Sequence, residues 1–114
     1  MNLNDTSVLD CRLDEVTLRS AQDARDLIGN ALGRQSSIVI VSSDQCGDGF
    51  FDLSTGVAGD TVQKFVNYGI RLIVVGDIND RAAKSTSLRD FVRECNRGRQ
   101  IWFVHDATEL EQRL

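Results

Sequence analysis

The 114-residue chain reads as an α/β domain, a single-domain sandwich on a mainly parallel four-stranded sheet. Three observations predict this fold. Short aliphatic runs rich in β-branched residues recur at Ile38 to Val41, Ile70 to Val75 and Ile101 to Val104, as expected of strands covered on both faces. The segments between them repeat their apolar residues at helical spacing and carry capping residues at their starts. The links are short and the chain has no proline, so strand and helix alternate four times in one domain over residues 1–114.

Ser7 to Leu13 alternates weakly and reads as a first strand, with a strand pair over the first twenty residues as the open alternative. Ser20 is placed as an N-cap with Asp23 three positions on, a short form of the capping box. Ala21, Ala24, Leu27, Ile28 and Ala31 or Leu32 then mark a helix that Gly33 is placed to stop. The run Ile38 to Val41 should be the central strand. The stretch SSDQCGDGFFD after it reads as a polar, glycine-rich loop closing on two phenylalanines. A helix from about Leu53 to Asn67 lines up Leu53, Val57, Thr61, Phe65 and Tyr68, with Ala58, Val62 and Val66 on its flank. Gly56 and Gly59 each cost about 1 kcal/mol inside a helix, which points to close backbone approach or a later start. Ile70 to Val75 is the next strand, ending in Gly76-Asp77. Ser87, with Asp90 three residues on, is placed to cap a helix over Leu88 to Asn96, and Gly98 ends it. The strand Ile101 to Val104 leads to Asp106, which caps a last helix with Leu110 and Leu114 facing inward.

Composition narrows the function classes. With net charge −4 and thirteen basic against seventeen acidic residues, no basic stripe suggests a nucleic-acid partner. The eight basic residues after Tyr68 are interspersed with acids and read as a solvated face. No aliphatic run is long enough to cross a bilayer, and the first residues lack a basic, apolar leader pattern. Cys11, Cys46 and Cys95 show no metal-finger or CxxC spacing, and one histidine makes a zinc site improbable. Reduced thiols in a cytoplasmic protein fit best. No GxGxxG, GxxxxGK[ST] or GxSxG pattern is present, so no cofactor is expected and no catalytic constellation is visible.

Candidate site residues come from helix starts and strand ends. A helix N-terminus offers unpaired N–H groups and partial positive charge, so Asp52, Ser54, Thr55 and Gly56 form a candidate anion, docking or phosphorylation surface. The plainer reading of Asp52 or Ser54 is an N-cap. Ligands in parallel sheets gather beyond the strand carboxyl ends, here Ser42-Ser43-Asp44, Gly76-Asp77 and His105-Asp106. Asp77, Ser85 and Ser87 are therefore candidate ligand contacts, although each also suits a turn or cap. His105 could act as a base, with no second group placed to orient it, and Cys46 is a candidate thiol without a cationic neighbour.

DLSTGVAGDTVQKFVNYGIRLIVVGD, from Asp52 to Asp77, and SLRDFVRECNRGRQIWFV, from Ser87 to Val104, resemble the bacterial family named domain of unknown function 4180. The shared features are Phe50 to Leu53 with Thr55, Ala58 and Gly59; Gln63 to Phe65 with Asn67 and Tyr68; Val74 to Asp77; and Ser87, Leu88, Asp90, Phe91, Glu94, Asn96 and Gly98. That family implies no established activity. More distantly, Asp52-Leu53-Ser54-Thr55-Gly56 is similar to the Asp-Ser-Ser-Gly segment of STAS domains, whose serine a partner kinase phosphorylates, with an extra leucine in the register. This STAS-like resemblance implies a regulatory domain with a protein partner, and phosphorylation of Ser54 or Thr55 as a hypothesis. Three expectations follow. The first is a non-catalytic interaction domain using Asp52 to Gly59. The second is a domain binding a small ligand or anion at the strand carboxyl ends. The third is a small enzyme with a site between the subunits of a homodimer, using His105 or Cys46.

Overall fold

The computed structural model describes residues 7–114. The strands are β1 (Val8–Asp10), β2 (Ile38–Ser42), β3 (Arg71–Val75) and β4 (Ile101–Val104), and the helices are α1 (Ala21–Gly33), α2 (Ser43–Phe51), α3 (Val57–Asn67), α4 (Asn79–Ala83), α5 (Thr86–Arg97) and α6 (Ala107–Arg113). Among the described residues the sheet has four strands in the order β1-β2-β3-β4, and every pairing is parallel. Each strand therefore adds beside its predecessor in one direction. Right-handed crossovers then put every connecting helix on the same face. The packing agrees: Leu27 and Ile28 of α1, Phe50 and Phe51 of α2, Ala58 and Phe65 of α3 and Leu88 of α5 share one core with Val39, Val41, Leu72, Val74, Ile101 and Phe103.

The alternate residues of the same strands, Ile38, Ile40, Ile73, Val75, Trp102 and Val104, form a second core with Leu110 of α6. This explains why the strands carry unbroken aliphatic runs rather than alternation. Among the described residues, a helix reaches the second face only after β4, through Asp106. The Asp106 carboxylate accepts from Glu109 N–H at 2.9 Å and turns α6 back across the sheet.

The sheet's last edge has a particular finish. Asn96, in the final turn of α5, accepts from Phe103 N–H through Oδ1 at 2.7 Å and donates from Nδ2 to Phe103 O at 3.0 Å. The side-chain amide thus pairs with both backbone groups of Phe103, which point away from β3 toward the open edge.

Several expectations change. SSDQCGDGFFD is not a loop: it forms α2, bent at Gly47, whose φ of +76° and ψ of 175° leave the helical region. A side chain there would also meet Arg19, so the bend requires glycine. The segment is helical because Cys46, Phe50 and Phe51 have a core to enter. Asp52 caps only a short 3₁₀ turn, Leu53–Thr55; Gly56 follows in the left-handed region and α3 begins at Val57. Ser85, not Ser87, is the cap of α5, accepting from Leu88 N–H at 3.1 Å. Helix α1 reverses at Gln35, with φ +56°, rather than at Gly33. Of the expected apolar faces, Ala31 is buried while Leu32 is 50% exposed, and Tyr68 is 60% exposed where α3 ends. Tyr68 is the C-cap residue, one position past the end of α3, and its ring stays outside the core. Of the N-terminal strand question, β1 is observed and residues 1–6 lie outside the described residues.

Candidate functional site

β3 and β4 are neighbours, yet the chain leaves them toward opposite faces. After β3 it enters α4 and α5 on the first face, and after β4 it enters α6 on the second. A parallel sheet opens a crevice beyond the strand carboxyl ends where such a divergence occurs. A crevice of about 200 Å³ lies there, lined by Gly76, Ile78, Asn79, Val92, Asn96, Phe103, Val104, His105 and Glu109.

Its polar rim is ordered by short backbone contacts. Asp77 Oδ1 accepts from Asn79 N–H at 2.9 Å, and Glu109 Oε2 accepts from His105 N–H at 2.9 Å. His105 Nδ1 stands 3.7 Å from Asp77 Oδ1, both side chains about half exposed. A protonated imidazole at that distance is an ion pair, and a neutral one can present either ring nitrogen. The floor is apolar, from Ile78, Val92 and Phe103. It continues between α4 and α5 as a groove of about 420 Å³ along Ile78, Ala82, Ala83 and Val92, flanked by Arg89 and Arg93.

Gly76 makes the crevice floor possible. Its φ is +155°, its N–H donates to Val104 O at 2.9 Å, and a Cβ there would drive into Ser43, the first residue of α2 just past the end of β2. Only glycine lets the three strand ends draw together this closely.

The residues singled out from the sequence divide between two places. Asp77 stands at the crevice rim beside His105. Asp52, Ser54, Thr55 and Gly56 stand together elsewhere, on the exposed turn before α3. Ser54 Oγ donates to Asp52 Oδ1 at 2.6 Å, and this hydroxyl is the main cause of the lowered Asp52 pKa. The single Thr55 hydroxyl proton is shared between Gly49 O at 2.7 Å and Asp52 O at 2.9 Å, and Oγ1 accepts from Val57 N–H at 3.2 Å. Thr55 thereby holds the wall of a shallow, polar depression of about 350 Å³ lined by Arg19, Asp44, Gly47, Asp48, Gly49 and Arg81. Arg81 is ion-paired there with Asp48 at 2.7 Å. Ser85 is engaged as a cap and Ser87 is exposed one turn along; neither lines the crevice.

Cys46 is fully buried, and burial pushes its thiol up to about 12. Cys11 and Cys95 are likewise raised to about 11 by burial. No group of three or more metal-ligating side chains gathers among the described residues, and none of their helices is long and apolar enough to cross a membrane. Glu109 and Asn96 were not among the sequence candidates. Each resembles an ordinary helix residue until β4 is set beside α5 and α6.

The family model for a domain of unknown function, DUF4180, matches residues 3–114. No curated protein and no solved structure gives a significant match. The chain belongs to the DUF4180 family.

Proposed function

We propose that this DUF4180 chain is a small-ligand-binding domain whose site is the crevice between the carboxyl ends of β3 and β4. The observation that carries this reading is the divergence of the chain to opposite faces after two adjacent strands, with Asp77 and His105 brought 3.7 Å apart at the opening. The residues in and beside the crevice favour one ligand class. Glu109, His105 and Asn79 in the lining, with Asp77 beside His105, suit a group rich in hydrogen-bond donors, a hydroxyl or an amine, while Ile78, Val92 and the groove beyond suit a short apolar body. The carboxylates of Asp77 and Glu109 disfavour an anion here.

Thermal-shift screening of small polyols, amines, nucleosides and organic acids tests the reading. Binding at a hundred times the dissociation constant adds about 2.7 kcal/mol, a readable shift for a domain of this size. Hits should come from the hydroxyl and amine classes and vanish in both His105→Ala and Val92→Trp. Stabilisation that both variants retain, or a hit list made only of acids, removes the crevice as the site.

A second reading is a regulatory, STAS-like surface for a protein partner at Asp52 to Gly59, supported by the exposure of Ser54 on its turn. Thr55 is the poorer acceptor for a phosphate because its hydroxyl makes three internal hydrogen bonds. Intact-mass measurement after incubation with lysate and ATP, with pull-downs of Ser54→Asp, tests this. Absence of any phosphate on Ser54 together with an unchanged partner profile rejects it.

A further inference from the structure

Three arginines converge at the opposite rim, where β3 and β4 begin. Arg71 is the first residue of β3, Arg99 lies just before β4, and Arg113 closes α6, which has run back from the carboxyl end. The guanidinium carbons of Arg71 and Arg113 lie 4.4 and 4.2 Å from the centroid of the same Trp102 ring. Each is anchored by a backbone carbonyl: Arg71 Nε donates to Arg99 O at 2.6 Å, and an Arg113 terminal nitrogen donates to Asn96 O at 2.9 Å. Trp102 is itself fixed, donating Nε1–H to Gly98 O at 2.8 Å. These are held groups and not free surface side chains.

No carboxylate pairs with any of the three among the described residues; the ion pairs found there involve Arg12, Arg81, Arg93, Arg97 and His105. One terminal nitrogen of Arg71 is shut from solvent and has no hydrogen-bond partner. The pKa of Arg71 is lowered, first by burial and then by the charges of Arg99 and Arg113. In a chain with seventeen acidic and thirteen basic residues, such a cluster is not a by-product of basic composition. A buried charged donor without a partner costs more than a neutral one. Pre-positioned guanidinium donors and mutual repulsion among cations are both answered by one oxyanion.

We propose that Arg71, Arg99 and Arg113 form a binding site for a phosphate-bearing small anion at the amino rim of β3 and β4. The anion sits at the edge of the Trp102 indole, where both stacked guanidinium groups and the more exposed Arg99 can reach it. This site is separate from the carboxyl-end crevice, and the two stand or fall independently.

Trp102 is the only tryptophan of the chain, so its emission reports the site directly. The protein is titrated with sodium phosphate and sodium pyrophosphate, each against sodium chloride at matched ionic strength. A saturable emission change with a phosphate salt and none with chloride is expected. Half-saturation at much lower pyrophosphate than phosphate assigns a diphosphate-bearing ligand, and similar values a monophosphate; either upholds the site. Arg71→Met and Arg113→Met keep a stem on the ring but remove the donors, and each should weaken binding at least about tenfold. Exposed Arg99→Met, which leaves the ring contacts intact, should weaken it severalfold and serves if the other two fail to fold. Arg25→Met on α1 should leave it unchanged. An emission change that follows ionic strength alone, or phosphate affinity the same in Arg99→Met as in the parent, overturns the proposal.

Discussion

Replacing Gly76 by alanine attacks the junction where β2, β3 and β4 end together. Two costs add. The backbone at φ +155° is a region that side chains avoid, worth about 1–3 kcal/mol. The new Cβ would also drive into the Ser43 side chain, with Ser43 Cβ only 2.8 Å from it and the Ser43 backbone nitrogen at 3.4 Å. Neither Ser43 atom is the end of a long flexible chain, so the start of α2 must move; overpacking of this kind costs about 1–3 kcal/mol more. The expected loss is about 4 kcal/mol, a large share of the ~5–15 kcal/mol that a domain of this size has in total. Urea unfolding measures it as a lower midpoint at unchanged slope. The cycle with Ser43→Gly separates the two costs. Removing that side chain should restore about 1–3 kcal/mol to Gly76→Ala while costing little in the parent. A loss below about 1 kcal/mol, or no recovery in the double variant, refutes the reasoning about close approach.

Three further outcomes are expected. Thr61 is fully buried in α3 and its hydroxyl has no partner, so Thr61→Val should raise stability by about 1 kcal/mol; a lower unfolding midpoint would mean the hydroxyl is satisfied. Gln35→Gly should gain about 0.5–1 kcal/mol by relieving a left-handed residue at the end of α1, read again by urea unfolding. For Cys46, the folded thiol titrates at about 12 against about 9 when unfolded. As pH rises above 9 the unfolded chain releases this proton first, so stability is complete below pH 9 and falls by about 1.4 kcal/mol per unit toward 12. The parent should lose stability between pH 9 and 10.5 more steeply than Cys46→Ala, and equal slopes would remove burial of this thiol as the cause.

The strands were legible because residues buried on both faces leave no polar positions, as Ile38 to Val41 and Ile101 to Val104 show. Ser20 and Asp106 were legible as caps because capping is a local event, decided within three residues. Helix α2 was not, since Gly47 and Gly49 argue against a helix and only the distant core that receives Phe50 and Phe51 overrules them. At the candidate site, all three strand ends were visible as gathering points for ligands on general grounds, and Asp77 was singled out. Its neighbour His105 was 28 positions away, and nothing short of the strand order places them side by side. The arginine cluster was wholly hidden. Arg71 opens an aliphatic run, Arg99 follows Arg97 and Arg113 stands near Glu111, and each resembles a solvated surface charge until the β3–β4 pairing and the return of α6 set two of them on Trp102.

The Asn96 amide on Phe103 has a consequence for assembly. By mimicking an adjacent backbone, it occupies the donor and acceptor of Phe103, in the outer half of β4, that another polypeptide would need to zip alongside. Growth of the sheet on that border, whether by a second copy or in aggregation, must first unfasten the last turn of α5. The single side chain of Asn96 thus acts as a latch at that point of the border.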